Sequence, residues 1–195
     1  MIGLVTAMRL RKFIAIGLLA GISAAQATAQ DTETTAFRRA VEMPSQRALE
    51  KVQRDPETEL GPFTTDGCSG GISGGWSIAS IRFPSFAEAH MENPPWEDCC
   101  VTHDQSYHSA GGDLGAEASF EARLLADNKL MMCVRNSQAE RENALYLLYG
   151  MSPEDVDFAY DAIAKAMFLS VRFGGSPCSG LPWRWGYGYP GCFFD

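Results

Sequence analysis

Trp96-Glu97-Asp98-Cys99-Cys100-Val101-Thr102-His103-Asp104-Gln105-Ser106-Tyr107-His108 is the stretch from which this 195-residue chain is best read. On a helix, residues four apart share a face, so Cys99 stands one turn from His103 and Cys100 one turn from Asp104. Each reactive side chain thereby gains a covalent anchor one turn away. A disulfide from Cys100 would draw a distant loop over the Asp104 carboxylate, and one from Cys99 would draw a second helix beside the His103 imidazole. A metal site and a general base would then stand side by side. His103 and Tyr107 are also four apart, which places the phenol to help fix the imidazole.

The pattern Cys-Cys-x-x-His-Asp-x-x-Tyr, from Cys99 to Tyr107, resembles the active-site helix of secreted, calcium-dependent phospholipases A2. The resemblance extends from about Asp66 to Arg135 and suits a divergent, bacterial-type member. It implies an all-α fold: a disulfide-stapled pair of antiparallel helices with a glycine-rich calcium loop and additional C-terminal helices. Residues 61–175 would form the phospholipase A2-like catalytic domain.

Ahead of that domain, Arg9, Arg11 and Lys12 precede an apolar run from Phe13 to Ile22 and then Ala27-Thr28-Ala29, the three parts of a signal peptide spanning residues 1–29. The run is short of the roughly 20 residues of a membrane-spanning helix. Met8 would serve equally as a start. Removing the segment takes three of the 16 cationic side chains, leaving 13 against 24 acidic ones and moving the formal charge from -8 to -11. Such acidity excludes nucleic acid as a partner and suits a divalent cation. Six cysteines, all beyond residue 29, are an even number in an exported chain and point to three disulfides in a secreted or periplasmic setting.

Residues 30–60 form a polar leader, with a short amphipathic helix near Val41 to Gln53 and a solvated segment as equal alternatives. Asp66-Gly67-Cys68-Ser69-Gly70-Gly71-Ile72-Ser73-Gly74-Gly75 is too glycine-rich for a stable helix or strand and reads as a loop that presents carbonyls. Calcium (Ca2+) takes six to eight oxygen ligands, many of them carbonyls. By resemblance, the carbonyls of Gly67, Ser69 and Gly71 would join Asp104 around the ion, although this loop has less aromatic and cysteine character than the family's. The connection from Cys68 to Cys99 reads as loop with one short helix, and His90 within it as a surface residue.

Gly111-Gly112 permits a reversal, and Leu114 to Val134 then reads as a long helix with Phe120, Leu124, Met131 and Val134 on its apolar side. Asp127 sits six residues before Cys133, matching the family's aspartate that orients the catalytic histidine. With Cys133 bonded to Cys99, Asp127 lies about 9 Å back along one helix and His103 about 6 Å forward along the other, at similar heights but about 120° from the phase of Cys133. Gln138 to Tyr149 continues as helix, ended by Gly150. Ser152-Pro153-Glu154-Asp155 starts another that runs to about Arg172, with Phe158, Ile163, Met167 and Val171 as its buried stripe. Residues 176–195 form an aromatic tail closed by a local disulfide between Cys178 and Cys192; its rings suit either a lipid surface or the core. The resemblance pairs Cys68 with Cys100 and Cys99 with Cys133.

The implied reaction is calcium-dependent hydrolysis of the sn-2 ester of a phospholipid in a membrane surface or micelle, releasing a fatty acid and a lysophospholipid. His103, held by Asp127 and Tyr107, would take a proton from the attacking water. Calcium on Asp104 would bind the phosphate and polarise the carbonyl, with the Ser69 amide as a second oxyanion donor. The residues by themselves imply only a calcium-assisted hydrolase. A thiol nucleophile conflicts with the oxidised cysteines, a zinc site lacks paired-cysteine spacing, and no serine lies in a G-x-S-x-G turn. The alternative is a catalytically silent module of the same fold that binds a lipid or protein through its aromatic tail; the sequence names no protein partner.

Overall fold

The computed structural model describes residues 35–68, 71–112 and 115–192. The signal-peptide reading, Ser69 and the terminal aromatics Phe193 and Phe194 lie outside the described residues. The chain divides between Val41 and Glu42 into two units. Of the first, residues 35–41 are helical, with Phe37 and Val41 exposed.

Among the described residues the fold is all-helical, without strands. Helix α1 is described over residues 35–54. It is followed by α2 (Gly71–Arg82), α3 (Pro84–His90), α4 (Glu97–Ser109), α5 (Gly115–Asn136), a 3-10 turn (Ser137–Glu140), α6 (Glu142–Tyr149) and α7 (Pro153–Gly174). None of these helices is long and apolar enough to cross a membrane.

Local chemistry sets the boundaries. Ser152 caps α7 by accepting from the Asp155 amide while the Asp155 carboxylate accepts from the Ser152 amide, a reciprocal box that satisfies two helix-end groups. Gly150 ends α6 in the left-handed conformation, as its position predicts. Helix α4 has no side-chain cap at Trp96, but Glu97 and Asp98 in its first turn complement the helix dipole. Its other end is closed from afar: the amides of Gly186 and Gly188 donate to the carbonyls of Tyr107 and His108 at 2.7 and 3.1 Å.

Helix α5 is central, packing on α4 and α7, while α2 lies on α3 and α7. Its buried face is Phe120, Arg123, Ala126, Asp127, Leu130 and Val134, so Leu124 and Met131 flank the stripe instead of leading it. Aliphatics as deeply buried as Leu130 and Val134 contribute about 1.5–3 kcal/mol each. In α7 the buried residues are Val156, Tyr160, Ala164 and Arg172. Phe158 is 76% exposed, against the sequence expectation, because it is two residues out of phase with both Val156 and Tyr160.

Three disulfides join Cys68 to Cys100, Cys99 to Cys133 and Cys178 to Cys192, the pairing expected from the sequence, and leave no free cysteine. Such bonds persist in oxidising compartments.

Three further expectations are corrected. The glycine-rich run is not all loop, since α2 starts at Gly71 and carries Gly74 and Gly75 in its interior; the Trp96 indole, donating to buried Ser73 Oγ at 2.9 Å, anchors that helix despite its poor intrinsic propensity. The Cys68 to Cys99 connection holds two helices, α2 and α3, in place of one. His90 is buried: its Nε2 lies 2.6 Å from the Tyr149 hydroxyl, and Trp76 and Phe86 pack on its ring.

Candidate active site

Cys99 ties the start of α4 to Cys133 near the end of α5, and one turn further along α4 His103 meets Asp127. The His103 Nε2 to Asp127 Oδ1 distance is 2.9 Å, with His103 7% and Asp127 0% exposed. Burial alone would raise the Asp127 carboxyl, but the hydrogen bond from His103 and the charge of Arg123 outweigh it and hold the group below its usual range. Asp127 is therefore a carboxylate, which only accepts. Nε2 must carry the proton, and neutral His103 keeps its lone pair on Nδ1.

Tyr107 completes the arrangement. Its hydroxyl donates to the same Asp127 oxygen at 2.7 Å, and its ring lies 4.1 Å from that of His103. Burial and then the Asp127 charge push the phenol well above its ordinary value, so it remains a donor. The second carboxylate oxygen, Oδ2, accepts from Arg172 Nη1 at 2.8 Å.

His103 opens on a cavity of about 250 Å³ whose walls include Cys68, Cys100, Leu130, Met167, Val171 and Trp183 on the apolar side and Asp66, Gly67 and Asp104 on the polar side. A second cavity of about 220 Å³ shares Asp66, Asp104 and Trp183 and adds Thr64, Thr65 and Tyr187. The segment before α2 is held here by the Cys68–Cys100 bond and by Thr65, whose hydroxyl donates to Asp104 Oδ2 at 2.6 Å and accepts from the Gly67 amide at 3.0 Å. Gly67 has φ +64°, a conformation that calls for glycine.

Burial raises the Asp104 carboxyl and the charge of Asp66 adds to it, against the Thr65 hydrogen bond and His103. The same two aspartates, after burial, push Tyr187 up to about 12. Two carboxylates on one cavity wall form an all-oxygen donor set suited to a hard cation such as calcium. Among the described residues no group of three His, Cys, Asp or Glu side chains gathers for a metal, so such an ion would depend on backbone oxygens as well. Gly67 stands beside Asp104, Ser69 lies outside the described residues, and the carbonyl of Gly71, at the start of α2, is directed along the helix axis.

Glu42, Arg123 and Arg172, which surround Asp127 and Tyr107, and Thr65, which holds Asp104, belong to the site without being evident as such in the sequence. One signal was available: Arg123 is four residues before Asp127, on the face of Phe120 and Leu130, where an arginine must find buried partners.

Comparison with protein-family models, with curated proteins and with solved structures finds no match to this chain.

Proposed function

We propose that this chain is a calcium-dependent hydrolase of the phospholipase A2 type, secreted or periplasmic, which cleaves the sn-2 ester of a phospholipid to a fatty acid and a lysophospholipid. The observation that carries the reading is the buried His103–Asp127 hydrogen bond beside an apolar cavity that Asp104, the next residue, also lines.

Asp127 holds the imidazole with Nδ1 unprotonated, the form a general base needs. A water in the cavity gives its proton to Nδ1 as its oxygen attacks the ester carbonyl, and the imidazolium returns that proton to the departing alcohol. Negative charge on Asp127 stabilises the imidazolium between the two steps. Leu130, Met167, Val171 and Trp183 offer an acyl chain an apolar wall. Calcium held by Asp104 with the backbone oxygens of Gly67 and Ser69 would supply the charge that binds the phosphate and polarises the ester carbonyl. The contacts Cys99–Cys133, His103–Asp127 and Tyr107–Arg123 advance along α4 while receding along α5, which supports an antiparallel pair.

Fatty-acid release from mixed phosphatidylcholine and phosphatidylglycerol vesicles tests the reading, with calcium, with chelator and with His103→Gln. Calcium-dependent release abolished by the substitution is expected. No release from the folded, fully disulfide-bonded protein under any condition would favour a silent lipid-binding module instead.

A further inference from the structure

The Asp127 carboxylate belongs to a larger buried assembly that hydrolysis as described above does not use. Arg172, near the end of α7, gives Nη1 to Asp127 Oδ2 at 2.8 Å and Nη2 to Glu42 Oε2 at 2.7 Å. Glu42 lies on α1, 130 residues away in the chain. The same Glu42 oxygen pairs with Arg123 Nη1, and its other oxygen accepts from Gln46 Nε2 at 2.8 Å. Arg123 donates from Nε to the Tyr107 hydroxyl at 3.1 Å and from Nη2 to the carbonyls of Val171 and Arg172. Glu42, Arg123, Asp127 and Arg172 are each at most 8% exposed.

With His103 neutral, two cations balance two anions. Buried ions need both charge partners and hydrogen bonds, and apolar side chains of similar volume would often pack as well or better. Stability therefore does not account for the assembly, whereas positioning does. A guanidinium is a flat fork of fixed geometry, so anchoring one arm of Arg172 on Glu42 sets the plane in which the other arm meets Asp127. With Oδ2 fixed in this way, Oδ1 is left to face His103 and Tyr107. Arg123, anchored on the same Glu42 oxygen, fixes the Tyr107 hydroxyl.

We propose that Glu42 is a positioning residue of the active site, acting through Arg172 and Arg123 on Asp127 and Tyr107, and that the helix ahead of the catalytic stretch is a working part of the site. The proposal rests on the reading of His103 as general base.

The test compares Glu42→Gln, Arg172→Lys and their combination in the full chain. Arg172→Lys keeps the charge but cannot span both carboxylates. One readout is kcat and KM for fatty-acid release per folded molecule. The other is the proton NMR resonance of His103 Nε2–H, assigned by its loss in His103→Gln and recorded without substrate. Each single variant is expected to move the resonance and to lower kcat roughly 10- to 100-fold with KM unchanged. Because Glu42 acts partly through Arg172, the loss in the double variant should be smaller than the product of the two single losses. If the wild type hydrolyses no phospholipid, the hydrolytic reading fails, yet a resonance that moves in Arg172→Lys still supports the positioning link. An unmoved resonance in folded Glu42→Gln overturns the proposal, and should that variant not fold, Glu42→Asp, which keeps the charge but draws it back from both guanidinium groups, is read in its place with the same two outcomes.

Discussion

His103 and Asp127, 24 positions apart in the chain, meet through a single 2.9 Å hydrogen bond, with both side chains buried and the imidazole bordering the cavity. The bond determines which imidazole nitrogen is free for chemistry. In Asp127→Asn, an amide group turned toward Nε2 donates where the carboxylate accepted, and the proton moves to Nδ1. Hydrolysis should fall roughly 10³- to 10⁴-fold while the disulfides and helix content persist. Initial rates on phospholipid vesicles check this, and a wild-type rate in the variant would remove Asp127 from the mechanism.

Calcium should stabilise the folded chain through Asp104. Burial first, and the charge of Asp66 after it, raise the Asp104 carboxyl, and a bound cation offsets both by favouring the ionised form. At a concentration 100 times its Kd, a ligand of the native state adds about 2.7 kcal/mol. Thermal melts with added calcium should show a matching rise in Tm that Asp104→Asn abolishes. Equal rises in both proteins would place the ion elsewhere.

The Cys99–Cys133 bond closes a span of 34 positions. Chain entropy assigns such a closure about 3–4 kcal/mol. Cys99→Ser with Cys133→Ser should lower the unfolding free energy in urea by that amount, and activity should fall as α4 and α5 lose their register. A stability loss confined to a few tenths of a kcal/mol would mean that helix packing alone holds the pair.

Burial, and after it the charge of Arg141, lowers the imidazole of His90 from its ordinary value. A group whose folded value lies below its unfolded one lends stability above the unfolded value and loses it as pH falls. With an unfolded histidine near 6.5, Tm should decline as pH drops below about 6.5 toward the folded value. His90→Gln should flatten that part of the curve. An undiminished slope in the variant would assign the effect to other groups.

Gly174 touches the wall of the cavity. A β-carbon there would lie 2.2 Å from Cη2 of Trp183, so Gly174→Ala must displace the indole that lines both cavities. The expected result is a several-fold change in KM for long-chain substrate, with a shift in tryptophan emission. An unaltered KM would mean that Trp183 does not contact the substrate.

The spacing from Cys99 to Tyr107 was legible because helical period and covalent anchors are local properties; the pairs Cys68–Cys100 and Cys99–Cys133 followed from the resemblance it carries, and Cys178–Cys192 from the closeness of the two cysteines in the tail. Ser152 and Gly150 were legible for the same reason, since capping depends on a few neighbouring residues. Arg123 and Arg172 were not, because a charged side chain is read as solvated until its partner is known, and their partner Glu42 comes from far away in the chain. Phe158 is exposed although it is aromatic, because its phase on the helix, two residues from both Val156 and Tyr160, turns it away from the core. In the tail, packing took precedence over exposure for Trp185, which is 1% exposed and donates its indole N–H to Ser119 Oγ at 2.9 Å.

Helix α4 is closed by amides from Gly186 and Gly188, while the Asp127 carboxylate is anchored through Arg172 to Glu42. The reactive centre is thus assembled from both early and late portions of the polypeptide. A ribosome-bound chain that has emerged only as far as α5 has His103 and Asp127 but neither Arg172 nor the closing amides. Synthesis runs from the N-terminus at about 5–20 residues per second, so completion of the site waits on residues made well after the dyad itself. A nascent or truncated product lacking residues 172–188 would be a set of helices with an unfinished centre, and hydrolytic competence would arrive all at once, with the last segment.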